Sequence, residues 1–302
     1  MTRTEPTAAE ELQAGGTKGH IERTSRLRAF RVHEYAIVGI CLVLFTVLSI
    51  LSGPFLSKAN LLNILDQNAS AGVMAFGETI VIISGNFDLS VGSTFSLAGV
   101  IGLLLIPVVG PVAATIMAVF CGTVVGAVNG GFVVLGRVHS FIATLATQYM
   151  IYGLALVVSG GVILVTLDPG FLVLGQNNGL GVKYAIWVMV AVGVITGVVL
   201  ARSVFGRHVY AVGGNRDAAR LSGIRGGLVI IGAFALSGTT AALGGVLEAS
   251  QVGSAQAGSG AGLELAAIAA TIIGGTSIFG GEGAIWRTAL GVLLLAMIGN
   301  GF

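Results

Sequence analysis

Apolar residues run in long blocks along this chain, at about 35–56, 70–84, 94–109, 111–133, 141–164, 183–201, 228–249, 263–279 and 284–301. Blocks of this kind predict helices, and several approach the ~20 apolar residues that a bilayer crossing takes. Others are shorter, so some of the nine are expected to be broken, tilted or partly re-entrant. In the block 111–133, Gly122, Gly126 and Gly130 fall at four-residue steps, and Gly193 and Gly197 repeat the spacing in 183–201. Small residues at that interval let helix backbones approach closely in lipid. The pattern predicts an all-α, polytopic membrane protein of about nine transmembrane or partly re-entrant helices over residues 35–302. The polar residues 1–34 are read as a mobile cytoplasmic tail.

Two polar interruptions stand out. The first is Gly206–Arg225, within a loop spanning about 203–227. It carries its own short helix signal: Asn215 as N-cap, Asp217 in the first turn and Gly223 as the stop. Ala218 and Leu221 share one face, three residues apart. A helix this short is marginal alone, since isolated helices below ~12–15 residues barely form in water, so it should dock against something.

The second is Ile80–Ser93, where an apolar run halts at Gly85-Asn86 and another begins after Asp88-Leu-Ser-Val-Gly-Ser93. Gly and Asn permit the turn, and Asp88 or Ser90 can cap the helix that follows. Either this is an ordinary capped turn between helices, or it is a discontinuous helix whose terminus faces a transport path. A comparable pattern recurs 190 positions later: Ala71-Gly72 matches Ala261-Gly262, Ile82-Ile83 matches Ile272-Ile273, and Gly85 matches Gly275. In transporters, Gly-interrupted segments at matching places in two halves point to the substrate site. A chain this rich in Ala, Gly and Ile can also produce five such matches by chance.

Composition supports the membrane reading: 55% of the residues are hydrophobic, 9% are charged and 48 are glycine. Soluble domains have about 25% charged residues, and no water-facing surface can be built from this inventory. Outside the tail there are nine Lys or Arg, and five of them (Arg202, Arg207, Arg216, Arg220 and Arg225) lie within 202–225. Basic residues beside spans mark the cytoplasmic side. Arg23, Arg26, Arg28 and Arg31 place the N-terminus there too, and six crossings return the chain inside at 202–227. Asp168 and Lys183 then fall outside.

Few polar side chains interrupt the spans. Glu78 and Glu264 flank the Gly-broken segments, where a buried acid is paired or functional unless it reaches water at a helix end. The aromatics Phe76, Phe87, Phe95, Phe141, Tyr149 and Tyr152 could stack on a sugar ring or simply pack. A net charge of +2 gives no sign of a nucleic-acid partner, and Cys41 and Cys121 have no metal-ligand or disulfide-framework spacing. The chain contains no Gly-x-x-x-x-Gly-Lys-Ser/Thr loop for nucleotide phosphates and no visible catalytic triad. A transport subunit is therefore expected rather than an enzyme, with a secondary transporter or facilitator independent of any ATPase as the alternative.

Read in order, these motifs resemble the ribose/xylose/galactoside-type permease family of bacterial ABC importers. The likeness lies in Gly85-Asn-Phe-Asp-Leu-Ser-Val-Gly-Ser93, Asn129-Gly-Gly, Ser140-Phe-Ile-Ala-Thr-Leu-Ala-Thr147, Ala211-Val-Gly-Gly-Asn, Ala218-Ala-Arg-Leu-Ser-Gly-Ile224 and Ile273-Gly-Gly-Thr-Ser-Ile-Phe-Gly-Gly-Glu-Gly283. It implies a multi-pass permease in the bacterial inner (plasma) membrane, acting in a bilayer with a second permease copy, cytoplasmic ABC ATPase subunits and an extracytoplasmic sugar-binding protein. The cargo would be a monosaccharide or similar polyol. ATP-Mg would act in the ATPase partner, with no cofactor in this chain. The resemblance makes Asn215, Arg216, Asp217, Ala218, Ala219, Arg220, Leu221 and Gly223 an ATPase-docking element. It points to Gly85, Asn86, Phe87, Asp88, Ser90, Glu78, Glu264, Gly274, Gly275 and Thr276 for the translocation pathway. Asn86 and Phe87 depart from the family's Gly and Ile. The family also continues past a motif like Gly299-Asn-Gly-Phe302 with one more apolar helix, so a fragment or a shortened subunit is expected.

Overall fold

The computed structural model describes residues 36–301, and the expected tail over 1–34 lies outside the described residues. Each apolar block forms a helix. α1 is Ala36–Leu51. The next elements are α2 (Lys58–Gln67), α3 (Ala69–Ile83), α4 (Val91–Val109), α5 (Pro111–Leu135) and α6 (Ser140–Ser159). They are followed by α7 (Pro169–Gln176), α8 (Tyr184–Arg202), α9 (Val204–Gly214), α10 (Arg216–Leu221), α11 (Gly226–Val252), α12 (Leu263–Ile273) and α13 (Ile285–Gly301). Five of these, α4, α5, α6, α8 and α11, are long and apolar enough to cross a membrane. α1, α3, α12 and α13 are shorter apolar helices.

Four short helices, α2, α7, α9 and α10, lie outside the apolar blocks, because a cap and a local turn suffice to start them. Ser57 accepts from Asn60 N to open α2, and Asp168 accepts from Phe171 N to open α7. Ser203 accepts from Gly206 N to open α9. Two apolar blocks also end earlier than their hydrophobicity suggests. α6 stops at a left-handed Gly160, and α12 stops before Gly274, although apolar residues continue to Phe279 in sequence.

Burial sorts the helices. Two-thirds (67%) of the spanning windows of α4 and α11 is buried, against 22% for α5 and α8, whose outer faces carry exposed Val, Ile and Phe. α11 is thus the central post. The glycines at four-residue steps in α5 lie against it. A Cβ on Gly122 would lie 2.6 Å from the Gly238 carbonyl oxygen, and one on Gly130 would lie 2.8 Å from the Ile231 Cα. Gly193 of α8 faces the Phe76 ring in the same way, at 3.0 Å.

The bundle has two distinct ends. At one, the strand pair Leu164–Val165 and Ser254–Ala255 lies near the hairpin of Asn178–Gly179 with Val182–Lys183. Lys183 pairs there with Asp66 at 2.7 Å. At the other end α9, α10 and the turns after α3, α5 and α12 gather with Arg137 and the arginines of 202–225. The described residues form nine apolar helices, as the blocks suggest.

Candidate functional site

α3 ends in a C-cap built around Gly85, whose φ of +78° suits a residue without a Cβ. Gly85 N donates to Ile82 O at 2.9 Å and Asn86 N to Val81 O at 3.2 Å. The chain then doubles back into the bundle. Asn86, Asp88 and Ser90 are all buried, so the backbone of this return segment has no water to satisfy it. Side chains on two helices, α3 and α6, accept its N–H groups instead. Phe87 N donates to Ser140 Oγ (3.2 Å), Asp88 N to Glu78 Oε1 (3.1 Å) and Leu89 N to Thr144 Oγ1 (3.0 Å). Ser90 N donates to Asp88 Oδ1 at 3.1 Å, and Asn129 Nδ2 donates to Ser90 Oγ at 2.6 Å.

The return segment and the start of α4 are buried against α3, α5 and α6 at the end of the bundle where α9 and α10 lie. Ser90 makes no side-chain cap for α4, and the cap-like bond runs from Ser90 N to Asp88 two residues earlier. Glu78 is fully buried and anchors the return segment rather than reaching water at a helix end. Among the described residues, Glu78 Oε2, Asp88 Oδ2 and Ser237 Oγ are buried without a hydrogen-bond partner.

The second Gly-broken segment repeats the cap at the offset of 190. Gly275 N donates to Ile272 O (2.8 Å) and Thr276 N to Thr271 O (3.1 Å), with φ +86° at Gly275. Gly274 lies against the Arg287 backbone. α12 begins beside α4, where Gly260 N donates to Ser96 Oγ at 2.8 Å. Glu264 in its first turn is buried and accepts from Gln148 Nε2 at 3.0 Å.

The two breaks meet. Gly281 N donates to Ile83 O at 2.8 Å, and a Cβ on Gly280 would sit 2.8 Å from the Gly85 Cα. Gly213 of α9 fills the remaining corner, and a Cβ there would lie 2.7 Å from Gly281 N.

α10 begins three residues after Gly213. Asn215 Oδ1 accepts from Ala218 N at 2.9 Å, and Asp217 sits in the first turn. Ile224 N donates to Ala219 O and Gly223 N to Arg220 O, each at 3.0 Å, around Gly223 at φ +80°. The expected docking within this chain is only partial. Ala219 is buried against the core, whereas Ala218 faces out and Leu221 is 85% exposed. Arg216 Nη2 donates to Asn86 Oδ1 at 3.1 Å, tying α10 to the first break. A cavity of about 770 Å³ lies between them, lined by Asn86, Arg137, His139, Arg216 and Arg220 among others.

The polar side chains highlighted in sequence fall into separate places: Glu78, Asp88 and Ser90 in one network, Glu264 with Gln148 in another, and Gly274, Gly275 and Thr276 beside Arg287. The six aromatics do not converge. Phe76 and Phe95 are buried, while Phe141, Tyr149 and Tyr152 are exposed on α6. Asn129, Ser140, Thr144, Gln148 and Ser237 belong beside the highlighted residues. Their signal was available, since Asn129 interrupts an apolar block and Ser140 and Thr144 stand four apart on one helix face.

The family described as branched-chain amino acid transport system / permease component matches residues 60–302 of the chain. Among curated proteins, the ribose import permease protein of Escherichia coli K12 is 37% identical over 282 residues, covering 91% of this chain and 87% of that one. The ribose import permease protein of Bacillus subtilis 168 is 40% identical over 262 residues, covering 86% and 81%. The L-arabinose ABC transporter permease protein of Azospirillum brasilense is 34% identical over 268 residues, covering 88% and 79%. No solved structure matches the chain.

Proposed function

The chain belongs to the branched-chain amino acid transport system / permease component family, and on that premise we propose that it forms the gated pathway of an ATP-driven importer for a monosaccharide or similar polyol. It is a multi-pass membrane transport subunit, not an enzyme, and an importer of this class works with an ATPase and a substrate-binding partner. In this reading the N-terminus is cytoplasmic, a second copy completes the pathway, and an extracytoplasmic sugar-binding protein delivers cargo. ATP-Mg is spent in the ATPase chains. The relatives named for ribose and L-arabinose support a sugar as cargo.

The observation that carries the mechanism is the attachment of α10. Its inner side is held by Ala219 and its outer side offers Ala218 and Leu221 uncovered. An ATPase surface seated on that outer side would push through two routes. One is the Arg216–Asn86 hydrogen bond, and the other is the glycine corner of Gly85, Gly213 and Gly281. The first ends on the cap of α3, and the second joins that cap to the 275–283 turn after α12, where a small rotation would move both breaks at once. Rigid, close-packed elements transmit such a displacement without absorbing it.

The test is sugar uptake in proteoliposomes holding the chain alone or with its ATPase and binding protein. ATP-dependent uptake only in the assembled system is expected. Gradient-driven uptake by the chain alone would replace this reading with a secondary transporter.

A further inference from the structure

The start of α13, beside the α12 cap, holds a buried cation for which the transport reading gives no role. Arg287 is 91% buried by residue surface, with 9% exposed, yet its side chain makes no hydrogen bond or ion pair among the described residues, and Nε is buried without a partner. Thr276 is 3% exposed, and its Oγ1 is likewise buried and unpartnered. The two are neighbours: a Cβ on Gly275 would lie 3.6 Å from Arg287 Nη1. Both line a cavity of about 560 Å³ together with Tyr210, Ser277 and Glu282. Tyr210 donates its hydroxyl to Gly283 O at 2.8 Å, so it walls the cavity rather than filling the vacant donors.

A buried cation and a buried hydroxyl without partners are costly, and the cost is removed by an anion that accepts from both. The guanidinium fork fits the paired oxygens of a phosphate. Depth favours the same class. Trp286 beside Arg287 is half-exposed, as aromatic side chains at a membrane–water boundary are, and the bundle's arginines gather at this end. Basic pockets between helices at such a boundary take lipid headgroups. Glu282 is the one acid on the cavity wall; it is exposed and makes no ion pair with Arg287.

We propose that the cavity between α9, the 275–283 turn and α13 binds a phosphate group through Arg287 and Thr276. A bilayer phospholipid and free inorganic phosphate both supply that chemistry.

The purified full chain in micelles, titrated with phosphatidylglycerol and separately with inorganic phosphate, tests this by native mass spectrometry and thermal shift. Wild type should bind one of the two at least tenfold more tightly than Arg287→Gln, while Arg202→Gln, altered at an exposed arginine of the same end, should match wild type. Selective loss of phosphatidylglycerol binding assigns a lipid headgroup, and selective loss of the phosphate-induced thermal shift assigns the free ion. If Arg287→Gln does not insert, Thr276→Val takes its place, with at least threefold weakening expected. The proposal is overturned if wild type binds neither ligand, or if the variants at 287 and 276 bind as wild type does.

Discussion

Arg216, the first residue of α10, donates from Nη2 to Asn86 Oδ1 at 3.1 Å, joining a surface helix to a buried chain break 130 residues away. The resemblance sets Gly where this chain has Asn86, so the bond depends on a side chain that the family motif does not imply. Hydrogen bonds to charged groups contribute about 1.5–3 kcal/mol when well shielded, and less where one partner is exposed, as Arg216 is. A double-mutant cycle of Arg216→Gln and Asn86→Ala should give a coupling of about 1 kcal/mol in unfolding from micelles. The same variants should slow ATP-driven uptake in the assembled importer while insertion stays normal. Additive effects in the cycle would show that the two residues act independently.

Leu221 contributes nothing to packing inside the chain, since it is 85% exposed at the end of α10. Leu221→Asp should therefore leave expression, insertion and melting temperature unchanged and abolish transport by the assembled complex. Co-purification of the ATPase with each form is the direct readout. A normal yield of complex from the variant would remove α10 as the docking element.

Gly223 sits at φ +80° with open space around it, so a side chain there meets backbone strain and no clash. Gly223→Ala should weaken the cap by about 1 kcal/mol and fray α10, with transport falling further than stability. Hydrogen exchange at the amides of 218–224 measures the fraying.

Gly126 and Gly131 make a contrast on one helix. A Cβ on Gly126 would run into the Phe234 backbone carbonyl, 2.9 Å from its carbon, whereas nothing lies within 4 Å of the same position on Gly131. Gly126→Ala should cost about 1–3 kcal/mol or more, because α5 and α11 must separate. Gly131→Ala should be neutral or slightly stabilising. Thermal unfolding of both variants in the same detergent compares them directly.

Glu78 matters here as an acceptor for Asp88 N at 3.1 Å. Glu78→Gln keeps an oxygen for that bond and should fold close to wild type. Glu78→Ala leaves a buried N–H without a partner, at a cost of about 1–3 kcal/mol. Equal stability of the two variants would mean that the return segment is held by Ser140 and Thr144 alone.

What could be read along the chain was whatever depends on neighbours in sequence. The apolar blocks marked nine helices, Asn215 and Gly223 bracketed α10, and Gly85 and Gly275 marked two helix ends 190 residues apart. Hydrophobic runs, caps and left-handed glycines act within a turn or two, so residue identity alone specifies them. The blocks overran at α6 and α12 because hydropathy does not register a glycine that ends a helix among apolar residues. Only the tertiary structure decided that residues 86–90 fold back inside, that Glu78, Ser140 and Thr144 accept their amides, and that Gly85, Gly213 and Gly281 share one corner. Those contacts join positions from 10 to nearly 200 residues apart. They form because irregular backbone in a bundle without water must find its hydrogen-bond acceptors on whichever helices pack beside it.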